Sequence, residues 1–168
     1  MQKKMRERPK AMLFLVLTAL LWSLGGILIK IVNLGALAIA GARSAISALI
    51  IFLYLRKPKF TWSLAQTGAA LSYAGTVILF VLANKMTTAA NAILLQYTAP
   101  VYVALLGAWL LKEKVKLRDW IAILLTIGGM VLFFTDSLDA GGFAGNVCGL
   151  LSGVCFALFA VFMRMQKD

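Results

Sequence analysis

Residues 91–113 read N-A-I-L-L-Q-Y-T-A-P-V-Y-V-A-L-L-G-A-W-L-L-K-E, and the class of the whole chain turns on how this stretch is understood. At about 1.5 Å per residue, a helix from Asn91 to Leu111 is long enough to cross the roughly 30 Å hydrocarbon layer of a bilayer. It is not uniformly apolar. Pro100 sits near its middle and has no N–H to offer the carbonyl of Gln96 one turn earlier. Gln96, Tyr97, Thr98 and Tyr102 surround that gap with polar groups lipid cannot satisfy. Irregular, polar backbone at membrane depth is tolerated where it packs on protein or lines a water-filled cavity. Two readings follow: a ligand-contacting wall, or a bend that fits the helix to its neighbours.

The rest of the chain has the same character. Hydrophobic residues make up 62% of the 168 and mean hydropathy is +0.91, well above the roughly 45–50% apolar content of a soluble domain. A formal charge of +11 would suggest nucleic acid in a soluble protein. Here the basic residues lie between apolar runs, where they act as topology signals and contacts for anionic lipid headgroups, so membrane lipid is a partner and nucleic acid is not. There is no His. Cys148 and Cys155, seven apart on one apolar run, would stand about 10 Å apart on a helix, too far for a disulfide, and no metal site is indicated. The first apolar run is too long for a signal peptide and is read as a retained helix.

Taken in order, the sequence predicts an all-α, polytopic transmembrane helical bundle of six spans. Residues 1–10 are a basic tail. The spans cover about 11–32, 36–55, 64–83, 91–111, 120–134 and 143–163. A basic turn (Arg56, Lys57, Pro58, Lys59), a charged loop (Lys112 to Asp119) and an acidic, glycine-rich turn (Asp136 to Gly142) separate the later ones. Gly68 and Gly75 in span 3, and Gly145, Gly149 and Gly153 in span 6, are spaced for close helix approach. Basic residues collect in the tail, the span 2–3 turn, the span 4–5 loop and the C-terminal end, leaving only Lys30 and Lys85 on the other side. Both termini are therefore expected in the cytoplasm of a multi-pass cell inner-membrane protein. Leu17–Trp22 also sets over Leu151–Phe156 without a gap, placing Lys30 over Arg164, as the first helices of two inverted repeats would align.

Trp22-Ser23-Leu24-Gly25 with Lys30, Arg43, Thr87-Thr88-Ala89-Ala90-Asn91-Ala92, Pro100 and Leu111-Lys112-Glu113 together resemble the EamA-type proteins of the drug/metabolite transporter superfamily. The resemblance implies two inverted five-helix repeats, a substrate cavity near the midplane, alternating access, and most often export of an amino acid or related metabolite. On that pattern, residues 11–135 are a first five-helix repeat. Residues 136–168 are an extracytoplasmic turn and the first helix of an incomplete second repeat. Transport by these six spans alone is then not expected; a second copy or partner chain would supply the missing helices. The alternatives are a non-transporting membrane subunit or assembly scaffold, and an inactive truncated fragment.

The candidate substrate-binding residues are Trp22, Arg43, Tyr73, Gln96, Tyr97 and Pro100. Arg43 is the ionisable residue well inside a span, where a charge costs about 2.5–3.5 kcal/mol, so it is expected to meet a substrate anion or to bond backbone carbonyls and snorkel. Gln96 and Pro100 share a face at i, i+4 with Tyr97 beside them. Trp22 and Tyr73 are either cavity aromatics or packing. No Asp or Glu lies inside a span, which disfavours the membrane-glutamate chemistry of small multidrug-resistance proteins. The absence of His and of any nucleophile–base pair disfavours an enzyme or a cofactor site.

Overall fold

The computed structural model describes residues 2–55, 60–112, 114–134 and 142–166, without the side chains of 2–10, 23, 133 and 134. The basic turn at 56–59, Glu113, most of the acidic turn at 136–142, and Lys167 lie outside the described residues. Two compact units divide the chain, Met1–Asn33 and Leu34–Asp168.

The first unit is one helix, α1 (Gln2–Ile31). It starts nine residues before the expected Ala11, so the basic segment is part of the helix. Its stretch from Ala11 to Ile31 is apolar and long enough to span a bilayer.

The second unit contains α2 (Ala36–Leu55), α3 (Leu64–Met86), α4 (Ala89–Gln96), α5 (Ala99–Leu110), α6 (Leu117–Phe134) and α7 (Phe143–Met165). In hydrocarbon an open strand edge would leave its backbone groups unsatisfied, and sequences this apolar resolve that by bonding within helices. The all-α polytopic bundle expected from the sequence is what forms. By length and composition, α2, α3, the combined stretch Ala89–Leu110 and α7 join α1 as membrane-crossing segments. The other expected span, α6, has 18 residues and opens on Leu117-Arg118-Asp119.

Local signals place the helix starts. Ser63 caps α3 by accepting the N–H of Gln66 (3.2 Å), while the Gln66 side-chain oxygen accepts from the backbone N–H groups of Thr61 (2.7 Å) and Trp62 (2.9 Å). This closes the first turn in both directions, as in a capping box. Thr88 caps α4 through the N–H of Asn91 (3.1 Å). Lys112 adopts a left-handed φ of 52° just past the end of α5, a common way to stop a helix.

α7 is the centre of this unit, packing most broadly on α3 and then on α4 and α5; α2 packs on α3, and α6 touches α4. Glycines allow this closeness. A Cβ on Gly145 would lie 2.9 Å from the Met86 backbone, and one on Gly149 would lie 3.0 Å from the Cβ of Leu95. On the α3 side, the Phe162 ring fills the space a Cβ on Gly68 would need, at 2.8 Å. Without a hydrophobic driving force between helices in lipid, such small-residue contact is the main source of association.

The reading of residues 91–111 as one kinked helix is corrected by the structure. The stretch is two helices, α4 and α5, broken at Tyr97–Thr98, so the second unit has one helix more than expected. Pro100 lies in the first turn of α5, where a missing N–H costs nothing because no earlier carbonyl of that helix awaits it. Gln96 and Pro100 therefore belong to different helices.

Candidate functional site

The break is built from its own residues and from α7. The Tyr97 N–H still reaches the Ile93 carbonyl (2.9 Å), but the Thr98 N–H turns to Leu95 (3.3 Å) and the Val101 N–H to Thr98 (3.0 Å). The Thr98 hydroxyl does not cap α5; it donates back to the Leu95 carbonyl at 2.6 Å. Opposite lies Gly153 of α7, where a Cβ would stand 3.1 Å from the carbonyl oxygens of both Leu95 and Gln96 and 3.2 Å from the Thr98 hydroxyl. A side chain there would push the helices apart, so the contact between broken backbone and α7 depends on glycine.

One residue before Gly153, a polar relay crosses the interior. The Gln96 side-chain amide donates to the Ser152 hydroxyl (3.0 Å), and that hydroxyl donates to the Thr76 carbonyl on α3 (3.1 Å). Ser152 is fully buried and Thr76 nearly so. A second crossing lies five residues earlier on α4, where the Asn91 amide donates to Asn146 on α7 (3.3 Å) and to Thr87 (3.1 Å). At 1.5 Å per residue the two crossings are about 8 Å apart along the α4–α7 seam. Asn84, wholly buried on α3, donates to the Phe80 carbonyl (3.2 Å), and its side-chain oxygen has no hydrogen-bond partner among the described residues.

The sequence-derived candidates are distributed unevenly about this seam. Gln96 is inside the relay. Tyr97 sits at the break itself but is half exposed, and Pro100 is exposed and borders an open cleft between α5, α6 and α7. Tyr73, also half exposed, packs its ring 5.2 Å from that of Phe159, which in turn lies 6.3 Å from Phe156. Arg43 is exposed on α2, where its carbonyl accepts from the Ser47 hydroxyl (2.8 Å). Trp22 is exposed on α1, in the other unit. Gln96 and Tyr97 thus lie at the end of α4 and the break, with Pro100 in the first turn of α5, while Arg43 and Tyr73 are carried by α2 and α3 of the same unit.

Sequence reasoning missed Ser152, Thr76 and Asn146. Ser152 lies between Gly149 and Gly153 in the close-packing stripe, and Asn146 lies one residue after Gly145. Polar side chains next to small-residue positions were the available signal, since that face of α7 had to be covered by another helix. Among the described residues, no group of three His, Cys, Asp or Glu side chains is placed to hold a metal ion.

Residues 9–135 match the EamA-like transporter family. An uncharacterized transporter of Helicobacter pylori (strain J99 / ATCC 700824) is 32% identical over 79 residues, which are 47% of this chain and 26% of that protein. The match therefore spans about a quarter of the relative's length. No solved structure matches the chain.

Proposed function

Because the chain belongs to the EamA-like transporter family, we propose that its second helical unit forms part of the wall of a pathway moving a small polar metabolite, such as an amino acid, across the membrane by alternating access. Export is the proposed direction, with both termini in the cytoplasm, in keeping with the crowding of basic residues in alternate loops. The observation that carries this reading is the broken span. A discontinuous helix frees backbone carbonyls and polar side chains from the regular bonding of a span, as the broken helices at transporter binding sites do. Gln96, Tyr97 and Pro100 are the proposed contacts at the break; Arg43, Tyr73 and Trp22 are proposed to meet substrate from the other helices. A second repeat, in the form of a second copy or a partner chain, would complete the cavity.

A packing-only role has its own supporting observation: the Gln96 amide and the carbonyls at the break already face Ser152 and Gly153 of α7. On that reading the chain is a scaffold or a membrane subunit.

Flux of labelled amino acids into liposomes separates the two, measured for the 168-residue chain alone and for the chain joined to a second EamA-like repeat. The transport reading expects saturable flux in the joined form, and its loss in Gln96→Leu at normal expression. Saturable flux by the chain alone would mean that a second copy completes the cavity where it depends on protein density in the liposome, and would overturn the need for a second repeat where it does not. Normal flux in Gln96→Leu would remove the break from the site.

A further inference from the structure

The cleft beside Pro100 has a structure of its own. Its long wall is α5, presenting two adjacent rows at i, i+4 spacing: Ala99, Val103 and Gly107, then Pro100, Ala104 and Ala108. Ile123 of α6 and Phe156 of α7 close the sides, and the volume is about 400 Å³. From Pro100 to Ala108 this wall runs about 12 Å along the helix, close to the depth of one leaflet in a hydrocarbon layer roughly 30 Å thick. At the end where α5 gives way to the charged loop, the lining changes to Lys114, Asp119 and, from α7, Arg164. One oxygen of Asp119 accepts the backbone N–H of Lys116 at 2.9 Å, which holds that carboxylate at the start of α6. Among the described residues, the charged groups at the mouth are therefore two cations and one tethered carboxylate.

From this we propose that the cleft binds one anionic phospholipid, with its phosphate at Lys114 and Arg164 and an acyl chain along the small-residue wall of α5. A small hydrophilic anion would satisfy the mouth but leave the apolar slot unfilled. A zwitterionic lipid would fill the slot but bring its own cation to the two already there. An anionic phospholipid answers both ends. Lys116 in the same loop and Arg118 in the first turn of α6 do not line the cleft, which distinguishes a built site from general attraction between basic residues and a negative membrane surface.

The test is native mass spectrometry of the 168-residue chain in detergent with phosphatidylglycerol, phosphatidylcholine or glycerol 3-phosphate added. The expected result is preferential retention of phosphatidylglycerol. That preference should fall about fivefold in Lys114→Gln and by roughly the square of that in Lys114→Gln/Arg164→Gln. Lys116→Gln/Arg118→Gln should keep it, and Ala104→Leu, which narrows the slot with every charge in place, should lose it. Lys114 is exposed in a loop, so its single variant reads the charge effect without disturbing a helix. Equal losses in the two double variants would reduce the site to diffuse surface charge. Full competition by glycerol 3-phosphate would make it a site for free phosphate esters. Equal retention of both lipids by the unmodified chain would mean that the cleft is no anionic-lipid site.

Discussion

The α4–α7 seam and α2 both belong to segments apolar enough to cross a membrane and both carry polar residues, yet the bundle treats them differently. On the seam, Asn91 and Ser152 are buried, glycines bring the backbones together, and side-chain hydrogen bonds cross between helices. On α2, Ile39 and Ala40 are the buried residues, Gly41 has nothing within 4 Å of where a Cβ would lie, and Arg43 is exposed. A polar residue within a span is thus not informative by itself. What gives it a structural role is a small residue on the facing helix that lets a partner come within bonding distance.

The largest expected effect tests that statement directly. Gly153→Leu must displace the Leu95 and Gln96 carbonyls or move α7, and overpacking of this kind costs about 1–3 kcal/mol. The apparent melting temperature in detergent should drop by about 2–12 °C. Gly41→Leu on α2 meets open space and should change stability by less than about 0.5 kcal/mol. Similar losses in both variants would show that the seam has no special status.

A finer comparison concerns the relay. Ser152→Ala removes the acceptor for Gln96 and should cost about 1 kcal/mol. Combined with Gln96→Leu in a double-mutant cycle, it should show a coupling of about 0.6 kcal/mol, typical of hydrogen bonds between membrane helices. Additive losses would mean that the two side chains stabilise the bundle independently. Arg43→Leu is the counterpart on α2: insertion should improve by about 2.5–3.5 kcal/mol on translocon scales. Thermal stability of the inserted bundle should stay within about 0.5 kcal/mol. A large loss of stability would place Arg43 in a contact of its own.

Why some features were legible in the sequence follows from the same contrast. The number of apolar runs and their approximate positions depend on run length and composition, which are local, but residues 91–111 hold two helices and α1 begins nine residues before its apolar run. The glycine spacings in spans 3 and 6 told which faces could be covered, and Gly68, Gly145, Gly149 and Gly153 all lie in close contacts. The break at Tyr97–Thr98 was located only approximately, because Pro100 was read as acting inside a helix when it stands in the first turn of the next one. The partners of Gln96 could not be read at all. Ser152 and Thr76 are 56 and 76 residues distant from Gln96 and from Ser152 respectively, and only the packing of α7 between α3 and α4 brings them together.

The smallest expected effect asks what holds the break open. If the missing N–H of Pro100 were the cause, Pro100→Ala would restore a bond to the Gln96 carbonyl and fuse α4 with α5 into one straight helix. The surrounding contacts argue otherwise. Both carbonyls at the break lie against Gly153, the Thr98 hydroxyl is bonded back to Leu95, and Pro100 already occupies a position where proline is at home. Pro100→Ala should therefore keep the break, with a change in stability below about 1 kcal/mol, whereas Thr98→Val removes the back-bond and should cost about as much or slightly more. Spin labels at Ala89 and Leu110 read the outcome as a distance, because a fused helix of this length would hold its ends roughly 30 Å apart. An unchanged distance in Pro100→Ala leaves the packing of α7 as the cause of the break; lengthening to the straight-helix value would return that role to the proline.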